Sequence, residues 1–168
     1  ARDLANENSD LLLLKQRIES GEMAGPAIVP AGFIEGQGAF AARNGFVVDS
    51  LDEGLRAVDW YAARGYRQIK LYNSIRPEWV RPLARRAHRL GLKVGGHVPA
   101  FMRAEDAVRA GYDELTHINQ LMLNFLVRPG HDTRTLLRFT LVGDEARRVA
   151  ADDARTRRFI ALLRQRGT

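Results

Sequence analysis

Lys70, His97 and His117 are the residues of this sequence whose types and spacing could do chemistry together. Each of them closes a short apolar run that begins five or six residues earlier, at a glycine. A neutral imidazole is a common ligand of zinc and similar divalent ions, and a lysine is almost never buried without a partner. The same register in three consecutive repeats is hard to explain by packing, so the pattern predicts one metal site built from all three side chains.

Three repeats of helix, glycine and strand position these side chains. In each repeat the glycine stands where a helix needs a left-handed C-terminal residue, and the run after it is short and apolar enough for a buried strand. The predicted strands cover residues 68–72, 93–98 and 113–118, after Gly65, Gly91 and Gly111. Strands that alternate with helices of this length are parallel. Their C-terminal ends meet on one face, where barrel enzymes have their active sites.

Local patterns also predict the remaining elements. Ser50 and Glu53 form a capping box, and the apolar residues after them recur at helical spacing, which predicts a helix over 51–64. Pro77 marks the start of a further helix, whose apolar face reaches Leu90. We also expect an N-terminal helix over 10–21, a buried strand over 27–33 and a long loop over 35–45. The predicted fold class is therefore α/β.

Length and composition limit the fold and the partners. The 168 residues are enough for one domain but short of the roughly 250 residues of a closed eight-stranded α/β barrel. No apolar run approaches the roughly 18 residues of a membrane span, so we expect no membrane partner. The absence of cysteine excludes disulfides and cysteine-based zinc sites, but it leaves the compartment open.

The net charge of +6 comes almost entirely from arginine. Clustered cations can bind phosphate backbones, but these arginines are spread through helical segments, and no aromatic RNA-binding signature accompanies them. Solvated helix faces explain the charge better, and we expect no nucleic-acid partner. A non-catalytic basic α/β module that binds an anionic partner remains the alternative interpretation of the chain.

Three stretches of the sequence resemble a known family. Residues 67–74 (RQIKLYNS), 95–100 (GGHVPA) and 113–119 (DELTHIN) are similar to barrel strands four, five and six of the metal-dependent amidohydrolase superfamily. The similarity is to the branch that contains imidazolonepropionase-like and Xaa-Pro dipeptidase-like enzymes, and it runs from about residue 2 to the C-terminus. It implies a partial (β/α)8 TIM barrel, roughly strands 3 to 6 with their helices.

The resemblance implies a role for each matching residue. Lys70 would be a carboxylated lysine that bridges two divalent metal ions, and His97 and His117 would complete the coordination of the second ion. Zinc is the expected metal, and a metal-activated water would hydrolyse an amide or dipeptide bond, with Xaa-Pro dipeptides among the substrates. Tyr72 and Asn73 follow Lys70 into the next loop and would contact the substrate carbonyl or carboxylate, unless Tyr72 is simply a barrel tyrosine with a solvated hydroxyl.

Weaker patterns surround these residues. Gly95 and Gly96 either let the backbone approach the metals closely or serve packing alone. His88 lies on a predicted helix and His131 in a loop, so both are interpreted as ordinary hydrogen-bonded histidines rather than ligands.

The sequence also departs from the family pattern. The family begins its site with a His-x-His pair on strand one and ends it with an aspartate after strand eight, and neither is found here. Arg2-Asp3 resembles the segment after strand two, and residues 164–168 resemble a helix end before strand seven. We therefore expect one unit, residues 1–168, that is a central part of the barrel truncated at both ends. It should bind at most one metal ion, be inactive alone and self-associate through open sheet edges.

Overall fold

The structure, a computed structural model, describes residues 1–168 and is built around a curved sheet of six parallel strands. The strands are β1 (Arg2–Asp3), β2 (Val29–Gly36), β3 (Phe46–Val48), β4 (Gln68–Leu71), β5 (Lys93–Gly96) and β6 (Glu114–Leu115). The helices are α1 (Asn8–Glu19), α2 (Leu51–Ala63), α3 (Pro77–Arg89), α4 (Ala104–Ala110), α5 (Ile118–Leu126), α6 (Leu137–Glu145) and α7 (Ala154–Arg166). No helix combines the length and apolar character that crossing a bilayer requires.

The strand order is β1-β2-β4-β5-β6, and β3 pairs with β2. Every pair is parallel, and the register places Phe33 beside Lys70 and Lys70 beside Gly95. Helices connect the successive strands β2, β4, β5 and β6, which is the arrangement of half an α/β barrel. The predicted fold class, a partial TIM barrel with roughly barrel strands three to six, is confirmed. These barrel strands correspond to β2, β4, β5 and β6.

One large apolar core lies between the sheet and the helices that cover it. It contains 22 buried residues, among them Ile69 and Val94 from the strands and Val58 and Leu83 from α2 and α3. Helix α3 buries the predicted face, although Leu90 at its C-terminal end is exposed. This core fixes the strands from one side, so their C-terminal ends are held in place for the side chains described below.

Helix ends follow the local signals in the sequence. Gly65, Gly91 and Gly111 have φ values of 76°, 75° and 122°, so each predicted left-handed position is confirmed. The Oγ atom of Ser50 accepts a hydrogen bond from the Glu53 N–H at 3.3 Å and caps α2. Ser50 fixes where α2 begins, and the three glycines fix where the helices stop and therefore where the next strands begin.

Some predicted boundaries were wrong. Strand β2 begins two residues later than predicted and continues to Gly36, so the loop starts at Gln37 and Glu35 belongs to the strand. Strand β3 was not expected, and β6 covers only Glu114–Leu115 because the chain turns into α5 directly after His117. Arg2–Asp3 is itself a short strand rather than a segment after one. The sequence predicted open edges on both sides of the sheet. The edge at β2 is not open, because β1 and β3 both pair with β2. The edge at β6 is open, because β6 pairs only with β5.

Candidate active site

The C-terminal ends of the strands surround a cavity of about 370 Å³. Lys70 reaches it from β4, His97 from the end of β5 and His117 from the end of β6, so the structure brings all three predicted residues together. The other lining residues are Ala5, Phe33, Ala42, Asn44, Tyr72, Asn119, Arg138 and Phe139. A cavity of this size lies within the range of about 300–1,000 Å³ that is typical of small-molecule sites.

Lys70 is a buried lysine without a carboxylate partner. Its side chain is 5% exposed, and Nζ lies 5.6 Å from the centre of the Phe33 ring and 5.4 Å from that of the Tyr72 ring. Burial lowers the pKa of Lys70, and the negative charge of Asp3 only partly offsets this effect. A larger fraction of the Lys70 amine is therefore uncharged at a given pH than for a lysine in water.

His97 is held by its backbone while its ring is left free. Its N–H donates to the Leu71 carbonyl at 3.1 Å, and its carbonyl accepts from the Tyr112 hydroxyl at 2.8 Å. The ring is buried, and Nδ1 has no hydrogen-bond partner. Burial, reinforced by the positive charge of Lys70, lowers the pKa of His97 to about 3, so the imidazole is neutral at pH 7.

His117 occupies a strained backbone position between β6 and α5. Its φ of 66° and ψ of 126° lie outside the regions that residues with a Cβ normally adopt. The ring centre is 4.6 Å from that of His97, with the planes at 67°. Partial burial, followed by the charges of Lys70 and Arg138, lowers the pKa of His117 as well. The unusual backbone turns the imidazole toward the same cavity as its neighbour.

The two predicted substrate contacts are placed differently. Tyr72 lines the cavity, and its ring centre lies 4.0 Å from that of His97. Asn73 is buried and does not line the cavity; its carbonyl accepts from the Ala100 N–H at 2.9 Å, and its side-chain atoms have no partner. The structure therefore brings Tyr72 into the site but not Asn73.

Gly95 and Gly96 are explained by strand packing. A Cβ atom on Gly95 would lie 2.6 Å from the Glu114 carbonyl oxygen, and one on Gly96 would lie 2.4 Å from that of Leu71. Gly96 also has a φ of 121°. Of the two interpretations, close contact between neighbouring strands accounts for both glycines.

His88 and His131 lie outside the cavity. Nε2 of His88 is 2.9 Å from an Asp113 carboxylate oxygen on the helical side of the sheet, and Nδ1 of His131 accepts from the Arg128 N–H at 3.4 Å. Both histidines are hydrogen-bonded in the way that the sequence interpretation expected.

Glu35 was missed by the sequence analysis. Its carboxylate is fully buried at the end of β2, where one oxygen accepts from the N–H groups of Gly36 at 2.8 Å and Ser74 at 2.7 Å, and the other from that of Ala42 at 3.3 Å. Burial raises the pKa of Glu35, although the three backbone donors oppose the shift. Glu35 thus ties the strand to two loops beside the cavity. An acidic residue inside an otherwise apolar run was the available signal.

Arg138 was missed as well. It lies on α6, a helix that follows the sheet and covers one side of the cavity. No spacing rule distinguishes it from the other arginines of the chain, so only the fold could reveal its position.

The side chains that could hold a metal are two imidazoles and one amine. No group of three or more His, Cys, Asp or Glu side chains is arranged to hold an ion, so any site here depends on Lys70. The partnerless Nδ1 of His97 and the neutral state of both rings suit a divalent ion. A carboxylated Lys70 would supply the oxygen ligands, and the residues present therefore fit an ion on this condition.

Several solved structures are similar to this chain, and three of them illustrate the likeness. Bottromycin amidohydrolase is 24% identical with a TM-score of 0.66, and the match covers 87% of this chain and 32% of that one. A candidate prolidase from Bifidobacterium longum is 22% identical with a TM-score of 0.53, covering 80% and 36%. An uncharacterised protein is 20% identical with a TM-score of 0.54, covering 99% and 48%.

The comparisons establish the fold. No family model matches the sequence, and no curated protein does. The chain spans 32% to 48% of the length of these three structures. At these identities the similarity is one of architecture, and the chain has the fold of part of an α/β barrel.

Proposed function

We propose that this chain carries part of the active site of a metal-dependent amidohydrolase that hydrolyses amide or dipeptide bonds, Xaa-Pro bonds among them. The observation that supports the proposal most is the cavity shared by Lys70, His97 and His117 at the C-terminal ends of parallel strands. The names of the similar structures, an amidohydrolase and a candidate prolidase, point to the same class of reaction.

Lys70 is proposed to act as a carbamate. A neutral amine adds carbon dioxide, forming a nitrogen–carbon bond and releasing one proton, and the product is an anion with two oxygen ligands. Burial of Lys70 lowers its pKa and so increases the neutral fraction that can react. No carboxylate lines the cavity beside Lys70, so no like charge would repel the carbamate, and its oxygens could bind a cation.

His97 and His117 are proposed to hold a divalent ion, most simply zinc, together with that carbamate. Both rings are kept neutral by their surroundings, which leaves a nitrogen lone pair on each for coordination. A bound ion would lower the pKa of a water molecule and polarise the scissile carbonyl. Tyr72, which lines the cavity beside His97, is proposed to contact the substrate.

Zinc titration of the purified chain, prepared with and without bicarbonate, tests the proposal. We expect one zinc ion per chain at most, with affinity that rises when bicarbonate is added. Lys70→Ala should abolish the bicarbonate effect, whereas Lys93→Ala should not, because Lys93 is exposed and paired with Asp113. Zinc binding that is indifferent to both bicarbonate and Lys70 would contradict the carbamate.

The isolated chain is proposed to be inactive and to self-associate. The sequence contains no His-x-His pair for a second ion, and β6 has a neighbour on one side only. Light scattering should therefore show oligomers, and dipeptide hydrolysis by the chain with zinc should be negligible. A stable monomer, or metal-dependent turnover of the 168-residue chain, would contradict this part of the proposal.

The alternative is a basic module that binds an anionic partner without catalysis. Four arginines line a second cavity of about 380 Å³, namely Arg103, Arg128, Arg148 and Arg155. Of the two acids in its lining, Glu145 pairs with two of these arginines and Asp153 caps α7. If the chain bound no zinc but bound inorganic polyphosphate in low salt, this alternative would replace the amidohydrolase proposal.

A further inference from the structure

The second cavity, of about 380 Å³, lies where the C-terminal ends of α5 and α6 meet the start of α7. It shares no lining residue with the first cavity, which contains Lys70. Its four arginines come from four different segments: the residue before α4, the residues after α5 and α6, and the first turn of α7. Guanidinium groups that converge on one recess repel one another unless an anion lies between them.

The acids of this second cavity do not neutralise its arginines. Four arginines stand against two acids, which leaves an excess of two positive charges. One Glu145 carboxylate oxygen lies 3.0 Å from a guanidinium nitrogen of Arg148 and 3.8 Å from one of Arg128, so two cations share it. Asp153 is used elsewhere, because its Oδ1 accepts from the Thr156 N–H at 2.6 Å and caps α7. The remaining charge matches that of a dianion.

Arg103 has the most unused hydrogen-bonding capacity of the four. It is half-buried directly before α4, and its guanidinium forms neither an ion pair nor a hydrogen bond within the chain. A guanidinium carries five N–H donors, and removing them from water without an acceptor is unfavourable. A ligand that supplies acceptor oxygens in the cavity would therefore remove this cost.

Arg155 is already oriented for such a ligand. One of its guanidinium nitrogens donates to the Phe125 carbonyl at 3.3 Å, and the group lies 5.6 Å from the centre of the Phe125 ring. These two contacts hold the cation at the end of α5 and leave its other N–H groups without a partner. A preorganised cation loses little side-chain entropy when an anion binds.

A phosphate monoester fits this arrangement better than a carboxylate does. The monoester carries a charge of about −1.5 to −2 at pH 7 and presents three acceptor oxygens in different directions. A carboxylate carries a single charge, and its two oxygens accept in one plane. Guanidinium groups that approach from separate segments therefore match the phosphate in both charge and direction.

Two helices connect the two cavities. Helix α5 begins directly after His117, which lines the first cavity, and its last residues, Phe125 and Leu126, line the second. Helix α6 carries Arg138 in the first cavity and ends at Glu145 in the second. The two helices share a cluster of three buried leucines. An anion that joins their ends to α7 would oppose local opening of this lightly packed pair, because it binds the closed form only.

We propose that the second cavity binds a phosphate monoester carried by a small molecule, and that binding stabilises the two helices that also border the first cavity. A small molecule fits because the volume of about 380 Å³ lies within the range of about 300–1,000 Å³ that is typical of such sites. The ligand would bind in addition to a metal ion in the first cavity. The binding itself is therefore independent of the proposed function, and only its consequence for the position of His117 rests on it.

Chemical-shift titration of the metal-free chain with phenyl phosphate, in EDTA at about pH 8 where the ester is a dianion, tests the binding. Phenyl sulfate is the matched probe, because it has nearly the same shape and one negative charge fewer. Phenyl phosphate should bind about tenfold more tightly. The largest shifts are expected at the amides of Phe125, Val127 and Val149. Equal affinities of the two probes, or no detectable binding of phenyl phosphate, would overturn the inference.

Arginine variants locate the bound phosphate. Arg103→Gln should weaken phenyl phosphate binding about tenfold, since it removes the guanidinium that has no other partner. Arg138→Gln, in the first cavity, should leave the affinity within about twofold. Arg81→Gln, at an exposed position on α3, controls for the loss of one positive charge and should also have an effect of less than about twofold.

Two patterns among these variants would contradict the assignment. A loss with Arg138→Gln but not with Arg103→Gln would place the phosphate in the first cavity, and equal losses with Arg103→Gln and Arg81→Gln would indicate attraction by net charge alone. Should Arg103→Gln be unfolded by circular dichroism, Arg103→Lys takes its place. Its expected loss is about threefold, because an ammonium group cannot bind two oxygens as a planar fork does.

Amide hydrogen exchange tests the stabilisation of α5 and α6. Exchange at Leu123 and Val142 should slow by up to about 100-fold when phenyl phosphate is present at about 100 times its Kd. Leu14 in α1, which lines neither cavity, is the control and should change little. Unchanged exchange in α5 and α6 with the ligand bound would overturn this part of the inference. No metal is present in any of these experiments, so failure to bind zinc and failure to bind the ester are separate outcomes.

Discussion

The sheet and the C-terminal helices differ in how much buried apolar surface holds them. The sheet shares a core of 22 buried residues with its covering helices, whereas α5 and α6 share a cluster of three, Leu123, Leu126 and Leu141. The helical segment also exposes large apolar side chains, with Leu136 75% and Ile118 73% exposed. Lys70 and His97 lie at the ends of strands in the firmly packed half, whereas His117 directly precedes α5 and Arg138 lies on α6, both in the lightly packed half. Such a division is common where loops on a rigid scaffold adapt to a ligand.

Truncating one leucine in each half tests the comparison most directly. Leu83→Ala removes a fully buried side chain from the large core and should lower the free energy of unfolding by about 3–4 kcal/mol. Leu141→Ala should cost only about 1 kcal/mol, because α6 has few neighbours to lose and can relax. Urea titration of both variants gives the two values. Equal losses would show that the halves are equally well packed.

Replacing the histidines one at a time tests the site itself. His97→Ala and His117→Ala should each lower zinc affinity by about 100-fold, since each removes a proposed ligand. His88→Ala and His131→Ala serve as controls, because both histidines are hydrogen-bonded outside the cavity. Calorimetric titration with zinc is the measurement. Similar losses for all four variants would contradict the assignment of the two cavity histidines.

Acid should destabilise the metal-free chain through His97. The folded state lowers the pKa of His97 to about 3, so below pH 6.5 the unfolded chain binds this proton preferentially. Stability is therefore fully present above pH 6.5 and falls as the pH drops toward 3, with a loss of about 2 kcal/mol by pH 5. Thermal unfolding in EDTA should show this slope in the wild type. A His97→Gln variant with the same slope would rule out His97 as its origin.

Glu35→Gln should have the smallest effect. One glutamine oxygen can keep the bonds from Gly36 and Ser74, but its amide group cannot accept from Ala42, so we expect a loss of about 1 kcal/mol. Hydrogen exchange at the Ala42 amide should become faster. Glu78→Gln, at an exposed position on α3, is the matched control. Unchanged protection at Ala42 would show that the loop is held by other contacts.

The sequence predicted the parts of the fold that short-range chemistry decides. Capping by Ser50 and the left-handed glycines depend on a few neighbouring residues, and their positions were confirmed. The shared register of Lys70, His97 and His117 was sufficient to predict that the three side chains reach one cavity, because parallel strands carry equal positions to the same face.

Long-range features were not predictable in this way. Strand β3 forms by pairing with β2, and the local pattern of residues 46–48 does not indicate this pairing. Arg138 enters the site through the path of a whole helical segment, and Asn73 leaves it because the chain turns after β4. In both cases tertiary packing decides which way a side chain points.

The backbone of His117 sets stability against function. A glycine would adopt φ 66° and ψ 126° with little strain, while a residue with a Cβ costs about 1–3 kcal/mol there. Selection for thermal stability alone would therefore favour glycine at this position and discard the imidazole. In a directed-evolution experiment that screens only for heat resistance, we expect His117 to be replaced early and the proposed zinc binding to be lost with it. The strain at this one residue therefore measures the stability that the fold loses in keeping the site.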